Sequence, residues 1–253
     1  LVAFDNAYAD PRRAAAYAGL EFPGTYYLAF RDLPILIARH VTGSNALDFG
    51  CGTGRSSRFL TGLGFVTIGV DISQEMVQQA RSIDPEGSYL VIGDGEIEPL
   101  GGNRFDLVLA AFTFDNVPDA DHKARLFGRL AATLGPDGRI IAVVSSPEIY
   151  VHEWASFSTR DFPENKTAAN GDPVRIVITD IPDSRPVEDI LCDDAAYRSV
   201  FDRSGLRVVA EHHPIGTREE PYNWVSETRL SPWSIYVLAP LAGGRRGDGR
   251  LDE

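Results

Sequence analysis

ALDFGCGTG, residues 46–54, carries an apolar strand into an acidic residue and then three glycines at alternate positions, Gly50, Gly52 and Gly54. A strand that ends in such a turn leaves its backbone bare, with no side chain to hold a ligand away. The following RSSRFLTGLGF continues as a helix whose first N–H groups have no partner of their own. Together they form a nucleotide-type cradle.

The flanking sequence repeats this strand-to-helix rhythm. Downstream, FVTIGV (65–70) is a β-branched strand that ends at Asp71. Ser73 caps a helix in which Met76, Val77 and Ala80 share a face. SYLVIGD (88–94), FDLVLAAF (105–112) and GRIIAVVSS (138–146) are further strands. A helix from Asp119 to Leu134 separates the last two and buries Leu126, Phe127, Leu130 and Leu134. Gly135 and Pro136 stop it. Such alternation predicts a parallel sheet covered by helices on both faces, with the ligand at the carboxyl ends of its strands. Upstream, residues 5–41 read as helical, with a kink or restart at Pro34.

After residue 146 the alternation stops. The aromatic-rich segment with Tyr150, His152, Trp154, Phe157 and Phe162 has no clean period and reads as a lid or cap. PVRIVITDI and RPVEDIL form a strand pair, DDAAYRSVFDRSGL a helix, and RVVAEHHPI and SPWSIYVLAP two more strands. The organisation is a helical lid (1–44), a core (45–146), a cap insertion with a strand pair (147–192), the rest of the core (193–240) and a Gly- and charge-rich disordered tail (241–253).

Composition narrows the function. A net charge of −12 disfavours nucleic acid and anionic membranes as partners. The two cysteines, Cys51 and Cys192, give neither a metal site nor a disulfide scaffold, and a cytoplasmic location is expected. The opening LVAFDNAYADPRR lacks Met and has no basic-then-apolar leader pattern.

Four segments, in order, carry a family resemblance: LDFGCGTG, VDIS (70–73), GDGE (93–96) and FDLVLAAFTFDNV (105–117). The chain resembles the class I S-adenosylmethionine (SAM)-dependent methyltransferases, of the bacterial small-molecule and natural-product type. The resemblance implies a three-layer, Rossmann-like α/β sheet, mostly parallel with an antiparallel last strand, plus an N-terminal helical lid and an inserted cap. It implies SAM as cofactor, S-adenosylhomocysteine as product and a small-molecule acceptor.

Residue by residue, Gly50 and Gly52 let the backbone approach the methionine and ribose of SAM. Asp71, 21 residues after Gly50, can accept both ribose hydroxyls, or serve as a helix N-terminal acid. Ile72 and Met76 flank the adenine, Asp94 accepts its amino group and Gly95 adds a backbone contact. Ala111 faces the methionine, and Phe112 and Phe114 wall the methyl group. Asp115 and Asn116 contact the acceptor or cap the turn. In similar enzymes an N-terminal Arg or Tyr binds the cofactor's carboxylate. Here Arg31, which could instead pair with Asp32, and Tyr17 take that place. Trp154 and Tyr222 contact the acceptor, guessed to be aromatic or heteroaromatic and methylated at N, O or C in a secondary-metabolite pathway. The candidates for a general base are His152 and Glu153, Tyr26 and Tyr27, and Tyr222 and Trp224, with His152 the first choice and His212 and His213 as further candidates.

Three rivals stand beside this reading. A nicotinamide oxidoreductase would want G-x-G-x-x-G and a Tyr-x-x-x-Lys pair, but the glycines follow G-x-G-x-G and only two lysines occur, Lys123 and Lys166. A nucleic-acid methyltransferase would want basic patches and an NPPY-like tetrapeptide where FTFDN stands. A SAM-binding regulator or partner subunit without turnover would keep the same glycines and acids.

Overall fold

In a computed structural model, described here over residues 10–241, three short helices precede the sheet: α1 (Pro11–Ala18), α2 (Gly24–Arg31) and α3 (Leu33–His40). Pro34 sits in the first turn of α3, where its missing N–H costs nothing, so the chain restarts there. The glycine turn lies between β1 (Asn45–Phe49) and α4 (Arg55–Gly62). It is followed by β2 (Val66–Asp71), α5 (Gln74–Ile83), β3 (Ser88–Val91), β4 (Phe105–Ala111), α6 (Ala120–Thr133) and β5 (Leu134–Ser145). Ser73 and Asp119 cap α5 and α6, accepting from Met76 N and His122 N. Several sequence boundaries move: β9 and β10, given below, are shorter than read. β3 stops at Val91, and β5 begins at Leu134, because the chain turns extended at the helix end and Gly135 and Pro136 enter the strand.

Beyond β5 come β6 (Phe157–Ser158), β7 (Pro173–Ile178), β8 (Val187–Ile190), α7 (Asp194–Arg203), β9 (Leu206–His212) and β10 (Trp233–Pro240). The main sheet has the order β3-β2-β1-β4-β5-β10-β9. Its first five strands are parallel, and β10 runs antiparallel to both β5 and β9. The cap strands β6, β7 and β8 form a second, antiparallel sheet.

The two-residue period of the strands divides the interior. Leu107, Leu109, Ile141, Val143, Ile235 and Val237 face one core, shared with α2, α3 and the cap. Val108, Ala110, Ile140, Ala142, Val144, Tyr236 and Leu238 face the other, under α6 and α7. Strand order reverses between β1 and β4, and at such a switch point the crossovers diverge and leave a crevice at the carboxyl ends. Tyr17, Leu20 and Phe30 of the N-terminal helical region line that crevice, and the long link from β9 to β10 packs against α2. The fully buried Glu227 fastens them, accepting from Thr25 Oγ1 (2.6 Å), Ala155 N (2.7 Å), Val225 N (2.8 Å) and Ser226 N (3.1 Å). No helix among the described residues is long and apolar enough to cross a membrane. The tail expected to be disordered lies almost wholly outside the described residues.

Candidate functional site

At the crevice lies a cleft with about 1210 Å³ of empty space, part of it open to solvent. The three glycines that frame it do different work. Gly50 has φ 74°, and a Cβ there would lie 2.3 Å from Thr113 Oγ1, so this glycine admits the loop after β4. At Gly54 the space is filled by the Tyr89 ring. Only Gly52, at φ 52°, has nothing within 4 Å of a would-be Cβ, and it alone of the three opens its backbone to a ligand.

Asp71 closes β2 beside it. Its Oδ2 accepts Gly52 N at 2.8 Å and its Oδ1 accepts Ser73 N at 2.8 Å. Burial raises its pKa, against the lowering effect of these backbone N–H groups. Beneath the turn, Asp48 is wholly buried, and that burial pushes its pKa up to about 6. Ser56 and Ser57 both donate to its Oδ2, at 2.7 and 2.6 Å, while Oδ1 has no hydrogen-bond partner among the described residues.

Along the cleft, Ile72, Met76, Ile92, Asp94, Gly95, His122 and Leu126 line one end. Asp94 is exposed and meets His122 Nε2 at 2.9 Å. Tyr17, Leu20, Phe30, Arg55, Ala111, Phe112 and Thr113 line the other. Phe112 has φ 65°, the only positive φ at a non-glycine among the described residues. A bulky side chain resists that conformation, so the strain marks a position fixed for another reason.

The cleft thus brings together Tyr17, Gly50, Gly52, Asp71, Ile72, Met76, Asp94, Gly95, Ala111 and Phe112. It does not gather the rest. Arg31 follows Phe30 on α2 and turns away from the cleft. Its guanidinium forks onto Asp32 (Nε–Oδ1 2.9 Å, Nη2–Oδ2 2.7 Å) and reaches Glu220 at 2.7 Å. Phe114 is fully buried and stacks on Phe127, 3.7 Å between centroids. Trp154 is core, its Nε1 donating to Ile149 O at 3.0 Å. Tyr222 packs on Tyr27 and Trp224 outside the cleft. His152 is on the cap surface, paired with Glu148 at 3.0 Å. Tyr26 is buried behind Phe112, and burial raises its phenol pKa further from the range of a base. His212 and His213 pair with Asp32 and Glu211. Of the aromatic residues after Ser146, which fit a core under a long insertion as well as a pocket, Tyr150, Trp154 and Phe157 are core.

Asp115 and Asn116 separate. Asp115 is buried and accepts Ser145 N and Oγ (3.1 and 2.9 Å). Asn116 lines the cleft but gives its amide to Asp189 Oδ1 of β8 at 2.6 Å. Tyr150 donates to the other oxygen of Asp189 at 3.0 Å. Burial raises both carboxyls, Asp189 also through the charge of Asp115 and Asp115 against the pull of Lys123. The residues that the sequence reading passed over are Arg55, Phe30, Thr113 and His122. Arg55 stands directly after the last glycine, and Phe30 stands one helical turn after Tyr26 on α2.

Residues 47–142 match the family model of a methyltransferase domain. The ubiquinone biosynthesis O-methyltransferase of Bradyrhizobium sp. (strain ORS 278) is 29% identical over 144 residues, 48% of this chain and 55% of that one. The enzyme of the same name from Rhodopseudomonas palustris (strain HaA2) is 32% identical over 123 residues, 47% and 44% of the two chains. The match spans about half the length of these curated relatives. Among solved structures, the S-adenosylmethionine-dependent methyltransferase from Clostridium acetobutylicum ATCC 824 aligns with TM-score 0.62 at 13% identity, covering 93% of this chain and all of that one. The CcbJ methyltransferase from Streptomyces caelestis aligns with TM-score 0.64 at 18% identity, covering 94% and 99%. These likenesses show the fold. SAM is the cofactor of such domains, and the cleft fits it: an open backbone at Gly52, a carboxylate at the end of β2, and an apolar slot at Ile72 and Met76.

Proposed function

We propose that this chain, whose residues 47–142 are a methyltransferase domain, transfers the methyl group of SAM to a small acceptor with a flat apolar face, an aromatic hydroxyl foremost. The observation that carries the reading is that Gly52, Asp71 and the strained Phe112 line one and the same cleft. The O-methyltransferase names of the curated relatives support oxygen as the accepting atom. A place in secondary metabolism belongs to the same proposal and rests on the family resemblance.

Bound SAM supplies an electrophilic methyl group on a sulfonium. Gly52 and Asp71 would hold the ribose, Ile72 and Met76 the adenine, and Asp94, steadied by His122, the adenine amino group. The protein's remaining work is alignment and the exclusion of water. Phe30, Ala111 and Phe112 give that end of the cleft an apolar wall. Asp71, Asp94 and His122 are spent at the nucleoside end, and the sequence-selected His152 and Tyr26 are outside the cleft. This arrangement favours an acceptor that ionises readily by itself, as a phenol does, over an alkyl alcohol.

The test is incubation with SAM and a panel of phenols, catechols, indoles and aromatic amines, following S-adenosylhomocysteine release. Release with phenolic acceptors is the expected result. SAM binding without release across the panel would assign the chain to the non-catalytic SAM binders. Binding of NADH but not SAM would refute the cofactor reading itself.

A further inference from the structure

Asn116 lines the cleft, yet what holds it lies outside the methyltransferase domain. It stands on the loop from β4 to α6, and its amide nitrogen meets two acceptors on strand β8 of the cap. Asp189 Oδ1 is 2.6 Å away and the carbonyl oxygen of Glu188 3.1 Å. A peptide carbonyl only accepts, so the contact with Glu188 fixes which end of the amide faces the cap, and both amide protons are engaged there. Asp189 is itself held: it is buried, and the Tyr150 hydroxyl donates to its other oxygen at 3.0 Å. The loop is pinned beside it. Ile190 N donates to Asp115 O at 2.8 Å, and the Asp115 carboxyl accepts Ser145 N and Oγ of β5.

What remains of Asn116 is its Oδ1. This oxygen has no hydrogen-bond partner among the described residues and is not shut away from solvent. Of the other side chains of that loop on the cleft, Phe112, Val117 and Pro118 are apolar, and Thr113 gives its hydroxyl proton to Phe49 O at 2.8 Å. An oriented acceptor in an apolar stretch discriminates, because a ligand without a matching donor leaves it desolvated and unpaired.

The chain's organisation assigns that discrimination to the methyl acceptor rather than to SAM. Cofactor binding is what methyltransferase domains share, and the residues proposed for it here lie within the matched segment 47–142. The groups that orient Asn116 stand beyond that match, on Val187–Ile190. An element built by an insertion goes with the ligand that varies from one such enzyme to the next.

We propose that the cap sets the hydrogen-bonding polarity of the acceptor site: Asp189 and Glu188 hold Asn116 with its Oδ1 toward the cleft, and the site takes methyl acceptors that carry a second O–H or N–H group to donate to it. Asp189 is a positioning residue that acts through Asn116. The inference rests on the methyl-transfer reading above and narrows its acceptor to one with a donor besides the methylated group.

The test is calorimetric titration of the full chain, saturated with S-adenosylhomocysteine, with the three benzenediols and the three cresols, in which a methyl group of similar size replaces the second hydroxyl. At one ring position at least, the native chain should bind the diol about 5- to 30-fold more tightly than the cresol, as a lost hydrogen bond with its acceptor left unpaired implies. Asn116→Leu, close in shape but without the carbonyl, should bring that pair within about 3-fold and leave S-adenosylhomocysteine affinity unchanged. Asn116→Ala reads the same should the leucine variant fail to fold. Asp189→Asn presents a donor as readily as an acceptor, so it loosens the orientation and should lower the ratio about 3-fold or more. A role in packing alone would weaken all six ligands alike and keep the ratio.

Cresols that bind as well as diols at all three positions overturn the proposal, as does a ratio that survives the Asn116 variants. An unchanged ratio in Asp189→Asn overturns the part given to the cap. Weaker S-adenosylhomocysteine binding in Asn116→Leu with the ratio intact would give the carbonyl to the cofactor instead. A saturated chain that binds none of the six also overturns it, and S-adenosylhomocysteine release across the wider panel then shows whether methyl transfer stands without it. A chain that binds neither SAM nor S-adenosylhomocysteine takes the methyl-transfer reading down as well.

Discussion

Asp71→Ala removes a carboxylate that already serves the protein twice, through Gly52 N and Ser73 N, each at 2.8 Å. Each oxygen keeps a further acceptor site, and two ribose hydroxyls are proposed to fill them. Hydrogen bonds to a charged group contribute about 1.5–3 kcal/mol each. Asp71 is half-buried, and burial raises its pKa, so part of that gain is lost to desolvation. A net loss of about 2–3 kcal/mol follows, or roughly 30- to 150-fold weaker binding of S-adenosylhomocysteine. Of the two freed backbone N–H groups, that of Gly52 lies at the cleft, where water can reach it, and that of Ser73 belongs to a buried residue. The stability cost is then about 1–2 kcal/mol, and a few degrees in Tm. Calorimetric titration with S-adenosylhomocysteine, run beside a thermal melt, separates the two roles. A lower Tm with affinity within about 3-fold of native would leave Asp71 as a staple of the turn and refute its ribose role.

Two further outcomes follow from the same geometry. At Phe112 the φ of 65° strains any residue with a Cβ by about 1 kcal/mol or more, so Phe112→Gly should melt above Phe112→Ala although both lose the ring; the opposite order would show that the backbone there is unstrained. Asp48 has a folded-state pKa of about 6 against an ordinary 3.8, so the native state holds a proton that the unfolded chain has released. Stability from this group is therefore lost as pH rises from about 4 to about 6, by up to about 3 kcal/mol. Urea unfolding of native and Asp48→Asn chains should show the native chain losing about 2 kcal/mol relative to the variant between pH 4.5 and pH 7; a constant gap would refute the burial effect.

The parallel core was readable because each of its elements carries a local cause. β-Branched runs ended in acids, Ser73 and Asp119 announced α5 and α6, and the glycines announced the turn. That Gly52, Asp71, Ile72 and Asp94 share one cleft was readable for the same reason: all stand at ends of consecutive strands, where topology alone places them. Side-chain direction was not readable. Phe30 and Arg31 are neighbours, but a helix turns successive side chains about 100° apart. Phe30 enters the cleft, and Arg31 leaves it for Asp32 and Glu220. The aromatic segment after Ser146 left two readings open for another reason. Aromatic density marks a core as readily as a pocket, and Tyr150, Trp154 and Phe157 found one another and β10.

Three features that oppose stability meet where β1 and β4 part. Asp48 has an oxygen without a hydrogen-bond partner among the described residues, Phe112 holds a left-handed backbone just past the end of β4, and Arg55 makes no ion pair among the described residues. None is forced by the sheet, since β2 and β5 end without any of them. The surroundings over-determine each one. Thr113 fills the space beside Gly50 and donates to Phe49 O at 2.8 Å, Val143 O accepts Phe112 N at 2.8 Å, and four rings encase the guanidinium. A fold selected for stability alone would relax such positions with a glycine or an apolar side chain. Their persistence at the switch point, where ligands of open α/β sheets bind, is what a preorganised site requires: the electrostatic and steric work is done before any ligand arrives.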